Sequence, residues 1–181
     1  MKPKLLTIIL FSILAFFMTV IPVYADTAGS SAVLVSTQPE KDKRPEVLKA
    51  YFTKYNSPLV PYAENFVEEA DKNKLDWKLV ASIAGVESYF GQQIPIFSYN
   101  GWGYGVYGNN VRRFSSWEDG IQVVSRALRS EYMDGWKATN VSEIGSIYAA
   151  DPMWANKVSH FMTDIENFTE ERTNPLLSIS L

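Results

Sequence analysis

Of the 20 acidic residues in the chain, Glu87 has the most unusual setting. Helical spacing places it above Val80, Ile83 and Ala84, at i−7, i−4 and i−3, on a face that must turn inward. From Ser88 to Trp117 there is no Asp or Glu, and the only charges are Arg112 and Arg113. A carboxyl at the C-terminal end of a half-buried helix loses water and meets the negative end of the helix dipole. Both effects disfavour ionisation and raise its pKa. A carboxylic acid kept protonated near neutral pH can donate its proton to a glycosidic oxygen. Position alone leaves a second reading open, a rim glutamate held by a local hydrogen bond.

The segment that follows is dense in rings and amides. It holds Tyr89, Phe90, Phe97, Tyr99, Trp102, Tyr104, Tyr107, Phe114 and Trp117, together with Gln92, Gln93, Asn100, Asn109 and Asn110. Sugars present apolar faces and polar rims, so a cleft that binds them needs aromatic platforms beside amide donors and acceptors. Phe90, Phe114 and Trp117 sit at helix boundaries and read as core. Trp102, Tyr104 and Tyr107 lie among Gly101, Gly103, Gly105 and Gly108, where backbone can approach a ligand closely, and read as substrate platforms. Elsewhere the chemistry is quiet. His160, the single histidine, lies on a helix rich in core residues. No His, Asp or Glu cluster has ligand spacing and there is no cysteine, so neither a metal site nor a cofactor is expected. No Ser has a plausible histidine partner for nucleophilic chemistry. Arg112 and Arg113 read as a solvated loop pair, or as contacts to acidic groups of a substrate.

These side chains need elements to hold them. Pro45 to Tyr55 predicts a short lead-in helix within 45–57, with Val47, Leu48, Tyr51, Phe52 and Tyr55 at helical spacing. Ser57-Pro58 predicts a helix start, followed by the stripe Leu59, Ala63, Phe66, Val67 and Ala70. Asp76 caps a helix expected from Trp77 to Phe90, stopped at Gly91. Ser116-Trp117-Glu118-Asp119 resembles a capping box and opens a long helix with Ile121, Val124, Leu128 and Tyr132 on one face. Asn140 with Glu143 starts a short helix through Tyr148. Asp151-Pro152 starts the last, with Trp154, Val158, Phe161, Ile165 and Phe168 inward. Between Gly91 and Ser115 the helical period disappears, and glycine-punctuated alternation predicts a small hairpin. Helices on both sides of a small Gly- and aromatic-rich β-lobe make an α+β domain that is mostly α.

The ends bound the setting. Lys2 and Lys4, the apolar run Leu5 to Ile21 and Val23-Tyr24-Ala25 read as an export signal over 1–25. An uncleaved anchor is the alternative, since the run is marginal in length for a span. Residues 26–44 read as a flexible tether, 58–170 as the main domain and 171–181 as a tail. The chain carries 17 basic and 20 acidic residues; losing Lys2 and Lys4 leaves 15 against 20, a net charge of −5. That balance argues against a nucleic-acid binder. Membrane contact is expected only through Leu5–Ile21 if the signal stays.

Val86-Glu87-Ser88-Tyr89-Phe90-Gly91, then Ser98-Tyr99-Asn100-Gly101-Trp102-Gly103-Tyr104-Gly105, resembles the core of the lysozyme-like peptidoglycan glycosidases. These include the lytic transglycosylases and the endo-β-N-acetylglucosaminidase domains of glycoside hydrolase family 73. Phe114-Ser115-Ser116-Trp117, and Tyr148 followed by Asp151-Pro152 and Trp154, extend the resemblance over about residues 58–168. It implies a lysozyme-like fold, the β-1,4 bonds of peptidoglycan strands as target, and a secreted or envelope location. It implies Glu87 as general acid and Tyr148 across the cleft. Ser88, Ser98, Asn100, Trp102, Tyr104, Tyr107 and Trp154 are then the expected substrate contacts. Glycosidases ordinarily use two carboxylates, and none stands near Glu87 in sequence. Asp119, Asp134 and Asp151 read as helix-end residues. Assistance by the substrate's N-acetyl group, or closure to a 1,6-anhydro product as the resemblance to lytic transglycosylases implies, would remove the need for a second. The competing readings are a non-catalytic glycan-binding or structural envelope protein on the same fold, and a membrane-tethered interaction protein.

Overall fold

Helix α1 (Arg44–Lys54) begins with Pro45 and Glu46 in its first turn and ends on Lys54, a charge order that complements the helix dipole. Its face of Val47, Leu48, Tyr51 and Phe52 is buried against helices α2 (Ala63–Asn73) and α6 (Trp154–Thr173) and is part of the core. The computed structural model describes residues 41–108 and 110–173. The expected leader, nearly all of the expected tether and residues 174–181 lie outside the described residues.

Helix α2 spans Ala63–Asn73, later than the start expected at Pro58. Ser57 does cap, its Oγ accepting from the Leu59 amide at 3.0 Å. Pro61 has no N–H and disfavours α geometry at Val60, so the chain first makes a 3₁₀ turn over Val60–Tyr62. At the other end Arg129 donates from Nε to the Asn73 carbonyl at 2.7 Å and from Nη2 to the Lys74 carbonyl.

Helix α3 (Leu79–Ser88) is the central one, with every residue from Leu79 to Gly85 buried. A helix apolar all round has to be enclosed by others. Here α2, α4 (Trp117–Ala127) and α6 pack on it. It ends two residues before the stop expected at Phe90. Tyr89, Phe90 and Gly91 take φ of 51°, 57° and 81°, three left-handed residues in succession. The reversal returns Phe90 to the core, where its amide donates to the Ala84 carbonyl at 2.9 Å and its ring meets Tyr51, Phe52, Tyr55 and Phe161. Burial of that ring offsets the cost of a left-handed non-glycine residue, about 1–2 kcal/mol each.

The expected hairpin is present and minimal. Strands β1 (Val106–Tyr107) and β2 (Asn110–Val111) pair antiparallel, Val106 with Val111 and Tyr107 with Asn110. Helix α4 (Trp117–Ala127) starts as expected, with Ser116 Oγ accepting from the Asp119 amide at 3.2 Å. Its winding loosens to π geometry over Leu128–Gly135, which the apolar period did not foretell. Helix α5 (Val141–Tyr148) has Asn140 Oδ1 accepting from the Glu143 amide at 2.9 Å. Helix α6 (Trp154–Thr173) completes the packing against α1, α3 and α5. The architecture is a mostly helical α+β domain of lysozyme-like type, with the small lobe placed between α3 and α4.

Candidate active site

The last turn of α3 delivers Glu87 half-buried beneath the Gly-rich segment. Its Oε1 accepts from Trp154 Nε1 at 2.6 Å. Its Oε2 faces Gly103 so closely that a Cβ there would stand 2.9 Å away, and Gly103 has a φ of +61°. Only glycine satisfies both the left-handed backbone and the approach. Burial holds the Glu87 carboxyl above the ordinary glutamate range, against the opposing pull of the Trp154 N–H and the Lys157 charge. The apolar stripe on α3 foresaw this desolvation.

Tyr148 and Trp154 join Glu87 in one cluster. The Tyr148 ring stacks on Trp154 at 4.9 Å and 24°, and its hydroxyl donates to the Trp102 carbonyl at 2.6 Å. Tyr132, on the π-wound turn, lies 5.5 Å from Tyr148, ring to ring. Burial pushes the Tyr148 phenol well above its ordinary value, so it stays neutral and acts through hydrogen bonds alone.

Five expected substrate contacts turn inward instead, among them Trp154, which is 2% exposed with its indole N–H directed to Glu87. Trp102 is 0% exposed, donates from Nε1 to the Val80 carbonyl at 3.0 Å, and is ringed by Phe66, Phe114 and Trp117. It is a core side chain and offers no platform. Its slot exists because Gly120 on α4 has no side chain; a Cβ there would be 2.6 Å from the indole. Ser88 is buried; its one hydroxyl proton is directed to the Gly101 carbonyl at 2.7 Å, with the Ala84 carbonyl at 3.0 Å as the alternative acceptor, and its oxygen accepts from the Gly91 amide at 2.8 Å. Ser98 is buried and accepts from the Asn100 amide at 3.1 Å. Asn100 is buried too. Its Nδ2 donates to the Tyr104 and Arg112 carbonyls at 2.8 and 3.0 Å, and its Oδ1 accepts from the Trp102 and Tyr104 amides at 3.3 and 3.2 Å. These polar groups shape the backbone that brings Gly103 to Glu87. Asn100→Ala is therefore expected to destabilise the fold by about 2–4 kcal/mol, since leaving a buried polar group unpaired costs ~1–3 kcal/mol and more than one is left. Chemical denaturation measures this, and an unchanged midpoint would show that the loop holds its shape without the amide.

Tyr104 and Tyr107 are accessible. Tyr107 is 77% exposed on β1. Tyr104 is half-buried, with the Arg112 guanidinium 5.0 Å from its ring centre. Its hydroxyl donates to the Glu131 carboxylate, 3.1 Å from each oxygen. Glu131 links the Gly-rich segment to the π-wound turn beside Tyr132. Sequence reading missed it, because an isolated surface glutamate on a helix carries no local signal; only the tertiary contact with Tyr104 marks it.

Trp154 sets part of the Glu87 protonation balance. Its N–H favours the ionised form, so Trp154→Phe removes a lowering influence and raises the Glu87 pKa further. Any activity that needs protonated Glu87 should then persist to higher pH. A rate–pH profile checks this; a limb moving to lower pH would mean that Trp154 chiefly excludes water.

Among the described residues no group of three or more His, Cys, Asp or Glu comes together as a metal site, and no helix is long and apolar enough to cross a membrane.

The mostly helical α+β fold has a counterpart among solved structures. A structure of a catalytic mutant of S. aureus autolysin E, in complex with the disaccharide NAG-NAM, is similar over 68% of this chain and 66% of that one. The TM-score is 0.56 and the identity 18%, a likeness of fold. The chain thus spans just under two thirds of the autolysin's length. No family model and no curated protein sequence matches.

Proposed function

We propose that the protein is a peptidoglycan glycosidase that cleaves β-1,4 bonds between N-acetylhexosamines, with Glu87 as general acid. The observation that carries this reading is the Glu87 carboxyl itself. It is desolvated, ends the central helix, is fixed on one oxygen by Trp154 and lies against the Gly103 backbone on the other. A carboxyl so held has a raised pKa and a defined direction, the two properties a general acid needs. The likeness to autolysin E, crystallised with NAG-NAM, supports a glycan as the ligand. Export to the cell envelope fits such a substrate.

Protonated Glu87 gives its proton to the leaving oxygen of the scissile bond. The oxocarbenium-like centre that develops is then met by water, or by a hydroxyl of the same sugar. Glu87, now ionised, recovers a proton from that nucleophile. Tyr148 lies one ring from Trp154 and can accept a hydrogen bond from the N-acetyl group through its free lone pair. Tyr148→Phe should lower the maximum rate without moving the pH limb set by Glu87. A shift of that limb by about a full pH unit, equivalent to ~1.4 kcal/mol, would mean that Tyr148 tunes Glu87 directly.

The deciding experiment is digestion of purified peptidoglycan followed by mass analysis of the products. New reducing ends identify hydrolysis and tell which of the two alternating bonds is cut; 1,6-anhydro ends identify transglycosylation. Binding of the strands with neither product would overturn the reading in favour of a glycan-binding protein.

A further inference from the structure

Beside the Glu87 cluster, α3 and α6 border an open cavity of about 350 Å³ at the surface, lined by Gly85, Val86, Asn156, Lys157, His160 and Phe161. It is continuous in sequence with the candidate site on both helices. Val86 precedes Glu87, and Lys157 stands one helical turn beyond Trp154. Lys157 also lies near enough for its charge to act on Glu87.

The cavity has two chemically distinct parts. Gly85, Val86 and Phe161 form an apolar floor. Gly85 admits the ring, since a Cβ there would stand 3.1 Å from Phe161 Cδ2 and 2.7 Å from Phe90 Cζ. Asn156, Lys157 and His160 form a polar rim on one side of α6, at i, i+1 and i+4. Asn156 and His160 are exposed, and the His160 ring lies 5.8 Å from that of Phe161. One of the three donors of Lys157 goes to Asp151 at 2.7 Å. An amide that donates and accepts, an ammonium and an imidazole above an apolar floor match a short peptide with acidic groups and small apolar side chains.

This inference rests on the glycosidase reading, because peptidoglycan strands carry such a peptide on alternate sugars. We infer that the cavity is a subsite for the peptide portion of the substrate, so that the enzyme prefers peptide-bearing strands over naked glycan. The sugar lies at Glu87 and the peptide runs along α6 over Val86 and Phe161, its carboxylates meeting the rim.

The test compares kcat/KM on intact strands with kcat/KM on the same strands stripped of peptides by an amidase. It uses the wild-type protein and the Asn156→Ala/His160→Ala variant. The wild type should favour peptide-bearing strands by about tenfold, the equivalent of ~1.4 kcal/mol of added contact. The variant should lose that preference and process naked strands as the wild type does. No preference in the wild type, or an equal loss on both substrates, overturns the inference. Asn156→Asp, which sets a negative charge against the acidic peptide, should reduce the rate on peptide-bearing strands alone. Titration of a free acidic stem tripeptide into the wild type, followed by amide NMR shifts, reads the cavity independently of turnover. Shifts centred on Val86, Asn156 and Lys157 support it, and no shift there overturns it. If neither strand is cleaved, the glycosidase reading fails while the titration still decides whether the cavity holds peptide.

Discussion

Replacing Glu87 with Gln is expected to abolish turnover while the domain stays folded. The amide keeps the size of the carboxyl, and its oxygen can still accept from Trp154 Nε1, which bonds Glu87 at 2.6 Å. It has no proton to give to a leaving oxygen. Loss of general acid catalysis costs ~10²–10⁴-fold in rate. Retention of more than about a tenth of the wild-type rate, well outside that range, would remove Glu87 from the chemistry.

The pH dependence follows from the same burial. The folded-state pKa of Glu87 lies above its unfolded value. Activity that needs the protonated form is therefore present at low pH and falls as pH rises through the folded pKa. Stability moves in the same direction. Between the unfolded and folded pKa the native state binds the extra proton, so the contribution of Glu87 declines as pH rises across that window. Glu87→Gln should remove this decline, leaving the variant no less stable than the wild type above the folded pKa. Thermal denaturation across the acidic range checks the stability limb independently of any assay of turnover.

The burial of Glu87 was legible because its signal is local: one carboxylate on an apolar helical stripe, at the end of a helix too hydrophobic to lie on a surface. The helix starts at Ser116 and Asn140 were legible for the same reason, since a capping side chain reaches only two or three residues ahead. The Gly-rich segment was read less well. A buried Asn that ties four backbone groups and an exposed Asn that reads a sugar have the same side chain in the same kind of sequence. What separates them is whether the loop closes around the amide, and that depends on Arg112, twelve residues later. Ser88 is ambiguous in the same way, its partner being the Gly101 carbonyl thirteen residues on. The Tyr104–Glu131 contact has no local signature, because it arises where two distant segments meet. The short α3 was misjudged for a related reason. Left-handed Tyr89 and Phe90 are disfavoured by themselves and are held there by the packing of Phe90 in the core.

Trp102 gives the largest expected change in stability. Glycines on both sides suggested a ring offered to a ligand, yet the indole fills the space between α3 and α4 with no exposed surface. Trp102→Ala would empty that slot, leave the Val80 carbonyl without its indole donor and remove edge-on contacts to Phe114 and Trp117. Truncation of a buried aromatic residue typically costs ~3–5 kcal/mol, a large part of the ~5–15 kcal/mol that holds an ordinary domain folded. Urea denaturation of the variant should show a midpoint lowered accordingly. Activity should fall as well, because the Trp102 carbonyl anchors the Tyr148 hydroxyl and the next residue is the glycine against Glu87. Tyr107→Ala is the informative contrast. That ring is 77% exposed, so its loss should change stability by no more than about 0.5 kcal/mol. Any effect on strand affinity would then report direct contact with substrate. A Trp102→Ala protein with wild-type stability and weakened glycan binding would restore the indole as a platform and require the slot beside Gly120 to open in solution.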